Sequence, residues 1–183
     1  MKAMVVVMML LACRAAATAG DSPRIEAIPL FKQAAGTWDG TGTNLVLADK
    51  SKLIVTDTWT GEFGMDGTAF VQTGTVKLSS EVGYDYRWVY KIETKSGRIF
   101  ALYKDSRDTQ GVFLADLSAD QNKLTMFPVD AGGKPTKAGM FSTISFKDGR
   151  LFFETEVRDR EGKPQVQSSV TCAKQDNSRA TRD

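Results

Sequence analysis

The chain has 183 residues, with 24 Lys and Arg against 22 Asp and Glu and no histidine. That length favours one domain with one core, and the missing histidine excludes Ser-His-Asp and Cys-His catalysis and any His-held zinc or haem. Lys2 and Arg14 supply the whole basic excess, so residues 20–183 balance at 22 against 22, which argues against nucleic acid and anionic lipid as partners.

Residues 1–19 read as a secretory leader: Met1-Lys2, ten apolar residues from Ala3 to Ala12, then small residues ending in Ala17-Thr18-Ala19, an A-x-A cleavage pattern. Ten residues span only about 15 Å as a helix, half a bilayer core, so no transmembrane anchor is expected. The alternative is lipidation at Cys13, because Leu10-Leu11-Ala12-Cys13 has the look of a lipobox. Either route predicts an exported protein, secreted or periplasmic in the first case and lipid-anchored in the second. After cleavage at Ala19 only Cys172 remains, so packing must hold the fold without an intrachain disulfide, and Cys172 reads as a buried apolar residue.

Helical signals are confined to residues 22–36. Ser22 before Pro23 is an N-cap pattern, and Pro29 can open a second short helix that ends at Gly36. From Thr37 onward, apolar and polar residues alternate in runs separated by nine turn clusters, from Asp49-Lys50 to Glu161-Gly162-Lys163, which delimits ten strands. Asp148-Gly149 predicts a two-residue type I′ hairpin. Tyr84, Tyr86, Trp88, Tyr90 and Ile92 share one strand face, and the same parity recurs in Leu53, Val55 and Trp59 and in Leu151, Phe153 and Val157. The expected fold is therefore all-β: a single antiparallel meander barrel of about ten strands with a short N-terminal helix, or a two-sheet sandwich with the same alternation. The domain would occupy residues 20–174, and the polar stretch 175–183 reads as a disordered tail.

The segment Leu30-Phe31-Lys32-Gln33-Ala34-Ala35-Gly36-Thr37-Trp38, a short helix running into Gly-x-Trp at the first strand, resembles the calycin superfamily of lipocalins, fatty-acid-binding proteins and nitrobindin-like barrels. Asp39-Gly40-Thr41-Gly42-Thr43 and the stretch from Phe100 to Leu124 are similar to a bacterial branch of secreted lipocalin-like barrels of unknown function. The resemblance implies that Trp38 plugs the closed end and that Lys174, on the last strand, packs across it; Arg158 is a second candidate for that cation. Nitrobindin-like members bind haem through a histidine, which this chain lacks, so haem binding is not implied.

Asp57 falls between Val55 and Trp59 on the inward face, where a carboxylate must be paired, hydrated or neutral. Gln72 and Asn44 share its parity, and Trp59, Phe70, Tyr86, Trp88 and Tyr90 supply aromatic wall. These eight residues are the candidate ligand-binding set, polar handles in an apolar lumen. The small residues Gly40, Gly42, Asn44, Gly74, Gly111 and Ser142 are expected to leave a space of a few hundred Å³. No catalytic residue, metal site or cofactor is assigned. The function expected is a monomeric barrel that binds a small apolar or amphipathic ligand. The alternatives are a packed structural module of the envelope and a histidine-free isomerase or hydratase with Asp57 as base and a tyrosine as acid.

Overall fold

The structure is a computed structural model that describes residues 24–64, 66–79, 81–93 and 96–176. The leader, Cys13, the Ser22-Pro23 cap and residues 177–183 lie outside the described residues. Gln175, placed by the sequence in the disordered tail, is tied to the first strand: its backbone N–H donates to Thr37 O at 2.9 Å and its side chain to Asp39 at 2.9 Å.

A 3-10 turn, Ile25–Ala27, leads into α1, Pro29–Ala34, and ten strands follow: β1 Gly36–Val46, β2 Lys52–Phe63, β3 Ala69–Leu78, β4 Glu81–Ile92, β5 Ile99–Asp105, β6 Gln110–Leu117, β7 Lys123–Pro128, β8 Gly139–Lys147, β9 Arg150–Arg158 and β10 Pro164–Lys174. Each strand pairs antiparallel with the next, and β10 returns to β1 with Trp38 opposite Lys174 and Val46 opposite Val166, so the meander closes into a barrel. The barrel rather than the sandwich is formed. At Asp148-Gly149 both φ angles are positive, 51° and 75°, as a type I′ turn requires.

Proline at its first position fits α1, because that N–H has no helical partner to lose. The helix buries Leu30, Phe31 and Ala34 against one end of the barrel, and Leu30 N–H donates to Gln121 O in the β6–β7 turn at 3.1 Å. Gly36 turns the chain from helix to strand at φ +113°, a conformation that disfavours a side chain. Trp38 is buried beside it and donates its indole N–H to Ala34 O at 3.0 Å, serving a carbonyl at the helix end. Trp38 stacks on Trp59 at 5.7 Å, and Lys174 Nζ lies 5.6 Å from the Trp38 ring centroid, within cation-π range. Arg158 instead lies over Phe141. Phe31 meets Phe70 at 5.1 Å and Tyr90 at 5.2 Å, so this end is a solid floor of aromatic rings.

Three of the glycines expected to leave space do not. A Cβ on Gly40 would lie 2.7 Å from Cys172 Sγ, one on Gly42 would lie 2.0 Å from the carbonyl oxygen of Ser169, and one on Gly74 would lie 2.5 Å from Trp59 Cβ and 2.8 Å from the Tyr86 hydroxyl. They are small because neighbouring strands and side chains already fill the volume.

Candidate functional site

Above the floor the barrel is hollow. A cavity of about 740 Å³ runs from Asp57, Gln72 and Tyr86 to the turn residues Arg107, Thr109, Val129 and Thr136, at the end opposite α1. The packed-barrel expectation fails on this point.

Of the eight candidate residues, Asn44, Asp57, Gln72, Tyr86 and Trp88 line the cavity. Trp59, Phe70 and Tyr90 do not. Trp59 is sandwiched between Trp38 and the edge of Phe153, and Phe70 packs on Phe31 and Phe63. Strand parity correctly turns all three inward, but their rows lie below the lumen, at the height of the α1 plug. Parity specifies a face, not a depth.

Tyr90 still touches the site through its hydroxyl, which donates to Gln72 Oε1 at 3.2 Å. Gln72 Nε2 then donates to the Tyr86 oxygen at 3.1 Å, and Tyr86 donates to Asp57 at 3.0 and 3.1 Å from its two carboxyl oxygens. Every donor in this chain points towards Asp57. The register explains the reach: Tyr86 on β4 faces Gly74 on β3, which faces Trp59 on β2, so the phenol crosses a strand with no side chain to meet the carboxyl one row above Trp59. Asp57 is buried, and desolvation pushes its carboxyl up to about 7, against a smaller lowering by the Tyr86 hydrogen bond. Burial also raises the Tyr86 phenol well above its ordinary range.

The mouth holds a group that sequence reading missed. Asp105 is buried, and burial alone would raise its carboxyl. Hydrogen bonds from Arg107, the Thr109 N–H, the Tyr103 hydroxyl and the Arg107 N–H together hold it below the usual range. Arg107 pairs with it at 3.0 Å and lies 3.6 Å over the Tyr84 ring. In the sequence Asp105 falls within the stretch from Phe100 to Leu124 that carries the resemblance and has no site role there; the parity of Ala101, Tyr103 and Asp105 was the signal for an inward side chain.

The two sides of the cavity differ. Tyr84, Tyr86, Trp88, Tyr103 and Phe113 form an aromatic side on β4–β6, with Trp88 4.7 Å from Tyr103 and 5.1 Å from Phe113. Across from it Ser142, Thr155, Ser168 and Asn44 fall in one hydrogen-bonded row of β8, β9, β10 and β1, and all four line the cavity. Ser142 and Thr155 bond each other at 3.0 Å, while the buried Oδ1 of Asn44 has no partner among the described residues. Cys172 lies below, buried, its thiol pushed up to about 12 by desolvation, which makes it inert rather than nucleophilic.

The fold and cavity define a closed ten-strand barrel with a plugged floor and an open mouth. Among solved structures it is similar to the S-type phycobiliprotein lyase from Guillardia theta, at TM-score 0.55 and 11% identity over 85% of this chain and 94% of that one. It is also similar to a protein of unknown function of the DUF3598 family from Nostoc punctiforme, at TM-score 0.50 and 9% identity over 79% of this chain and 49% of that one. At these identities the likeness concerns the fold alone. No protein-family model matches the sequence, and no curated protein matches it. Among the described residues no helix is long and apolar enough to cross a membrane.

Proposed function

We propose that this chain is an exported, monomeric, calycin-type barrel that holds a small apolar or amphipathic molecule by burial. The observation that carries the reading is the cavity of about 740 Å³, lined by rings and aliphatic side chains with a few convergent polar groups, the usual makeup of a small-molecule site. Asp57, Gln72 and Asn44 orient the ligand; Trp88, Tyr103 and Phe113 cover it. Export rests on the Ala17-Thr18-Ala19 pattern, and calycin membership on Gly36-x-Trp38 with Lys174 over the tryptophan.

N-phenyl-1-naphthylamine, a neutral probe whose emission rises in apolar surroundings, is expected to bind one to one, and mass spectrometry of organic extracts of the natively purified protein is expected to find a displacing ligand. A probe that stays dark would reject the reading. N-terminal sequencing should find Gly20; an acylated Cys13 would place the protein on a membrane surface instead.

One observation favours acid-base catalysis as the second reading: a carboxyl raised towards neutrality, 3.0 Å from a tyrosine hydroxyl, in a cavity. Asp57 would then be the base, and solvent deuterium should enter a bound ligand at a carbon next to its carbonyl. That exchange must vanish in Asp57→Asn.

A further inference from the structure

Two carboxyl groups line the cavity, and the protein serves them differently. Asp105 has a guanidinium and several hydrogen-bond donors. Asp57 accepts hydrogen bonds from Tyr86 alone and, among the described residues, has no ion-pair partner. A buried carboxylate with one donor and no counter-ion costs several kcal/mol, a cost that a cation placed directly against it offsets in part. The surroundings suit such a cation. The rings of Tyr84, Tyr86, Trp88 and Tyr103 line the same space, and the negative faces of aromatic rings attract ammonium groups. Asn44, whose Oδ1 has no partner among the described residues, lies on the neighbouring strand β1, roughly 13 Å along it from Gly40, the cross-strand neighbour of Asp57, and is too far away to touch the same nitrogen.

We propose that the cavity takes an amphipathic organic amine, with its protonated nitrogen against the Asp57 carboxylate and its apolar body along Trp88, Phe113 and Phe153. This rests on the ligand-binding reading above. A fatty acid in the same orientation would bring like charge to Asp57, so it must bind reversed, with its head at Arg107, or not at all.

The ionisable groups facing Asp57 are Tyr84 and Tyr86 on β4 and Cys172 on β10; burial raises all three, so they stay neutral near pH 7. β3 presents Gln72 and Val76, and β1 presents Gly40. Asp57 is therefore the group that titrates at this depth. An alkylamine remains protonated to about pH 10, as lysine does, so its affinity must climb as pH rises through about 7, while that of a neutral ligand stays level.

Titration calorimetry with decylamine, decanol and decanoate at pH 8 separates the possibilities, because the three share one chain and differ only in the head. Decylamine is expected to bind at least tenfold tighter than either of the others, and Asp57→Asn to abolish that preference, so that decylamine and decanol bind the variant alike. Tyr86→Phe removes the one donor that lowers the Asp57 carboxyl, so it should keep the amine preference at pH 9 and move the pH midpoint upward. Decanoate binding tightest, equal binding of all three, or an Asp57→Asn protein that still prefers the amine would overturn the amine assignment and leave the binding barrel standing. Binding of none of the three would overturn both.

Discussion

The Tyr86 hydroxyl sits 3.0 and 3.1 Å from the two oxygens of Asp57, and it is the carboxyl's only hydrogen-bond donor among the described residues. One neutral donor does not replace the water that a carboxylate loses on burial, so the neutral acid is favoured and the carboxyl titrates near 7.

The pH dependence of stability follows from that shift. In the unfolded chain Asp57 titrates near about 3.9, so between roughly pH 4 and pH 7 the folded state holds a proton that the unfolded state has lost. The folded state's advantage is complete below about pH 4 and is lost as pH rises through about 7. Relative to Asp57→Asn, which cannot ionise, the wild-type protein should lose about 4 kcal/mol across that window, with the difference flat on either side. Urea unfolding of both proteins at half-unit pH steps measures the difference, in which titration of the other carboxyl groups cancels. A difference that does not change with pH would mean that Asp57 is hydrated and ordinary.

Gly74 makes the Tyr86–Asp57 contact possible. An added Cβ would meet Trp59 Cβ at 2.5 Å, Thr58 O at 2.8 Å and the Tyr86 hydroxyl at 2.8 Å, two of which belong to the packed floor and the sheet and cannot swing away. Gly74→Ala should therefore cost roughly 1 to 3 kcal/mol as an overpacked site. It should also displace Tyr86 from Asp57 and raise the midpoint of the pH transition further. Unchanged stability in urea would show that the strands separate more easily than the register implies.

The strands were legible because alternation has period two and the turns between them are chemically marked; Asp148-Gly149 and Asp49-Lys50 fall between strands as the sequence implies. The inward set followed from the same parity, which is why Asp57, Gln72 and Asn44 stood out as polar residues in apolar rows. Depth was not legible. Whether an inward ring lies in the floor or the lumen depends on where α1 seats and how each strand is staggered against its neighbour, and neither is a local property of the chain. Phe70 and Trp88 have equivalent patterns and opposite environments for this reason. The hydroxyl row Ser142, Thr155, Ser168 and Asn44 was equally hidden, because it exists only once four strands are in register.

Trp38 tests the floor. It is 1% exposed, stacks on Trp59, and its indole N–H serves the helix carbonyl of Ala34. Trp38→Ala should cost on the order of 3 to 5 kcal/mol as a large core deletion, and Lys174→Met, which keeps the stem over the ring without the charge, should cost less than about 1 kcal/mol. Chemical denaturation reads both. A loss near zero for Trp38→Ala would mean that α1 does not plug the barrel.

Trp88 and Phe70 separate lumen from floor. Trp88 is a cavity wall residue in contact with Tyr103 and Phe113, whereas Phe70 is 1% exposed between Phe31, Phe63 and Tyr90 and touches no part of the cavity. Phe70→Ala should cost about 3 to 5 kcal/mol of stability as a core truncation while leaving the affinity for N-phenyl-1-naphthylamine within about twofold, provided the protein is assayed where it remains folded. Trp88→Ala opens into a space already hollow, so it should cost less stability and weaken the probe by about tenfold through the lost ring surface, which corresponds to about 1.4 kcal/mol. Fluorescence titration alongside urea unfolding gives both quantities for each variant. Equal loss of probe affinity in the two variants would place the ligand in the floor with Trp59 and Phe70, and would move the site away from Asp57.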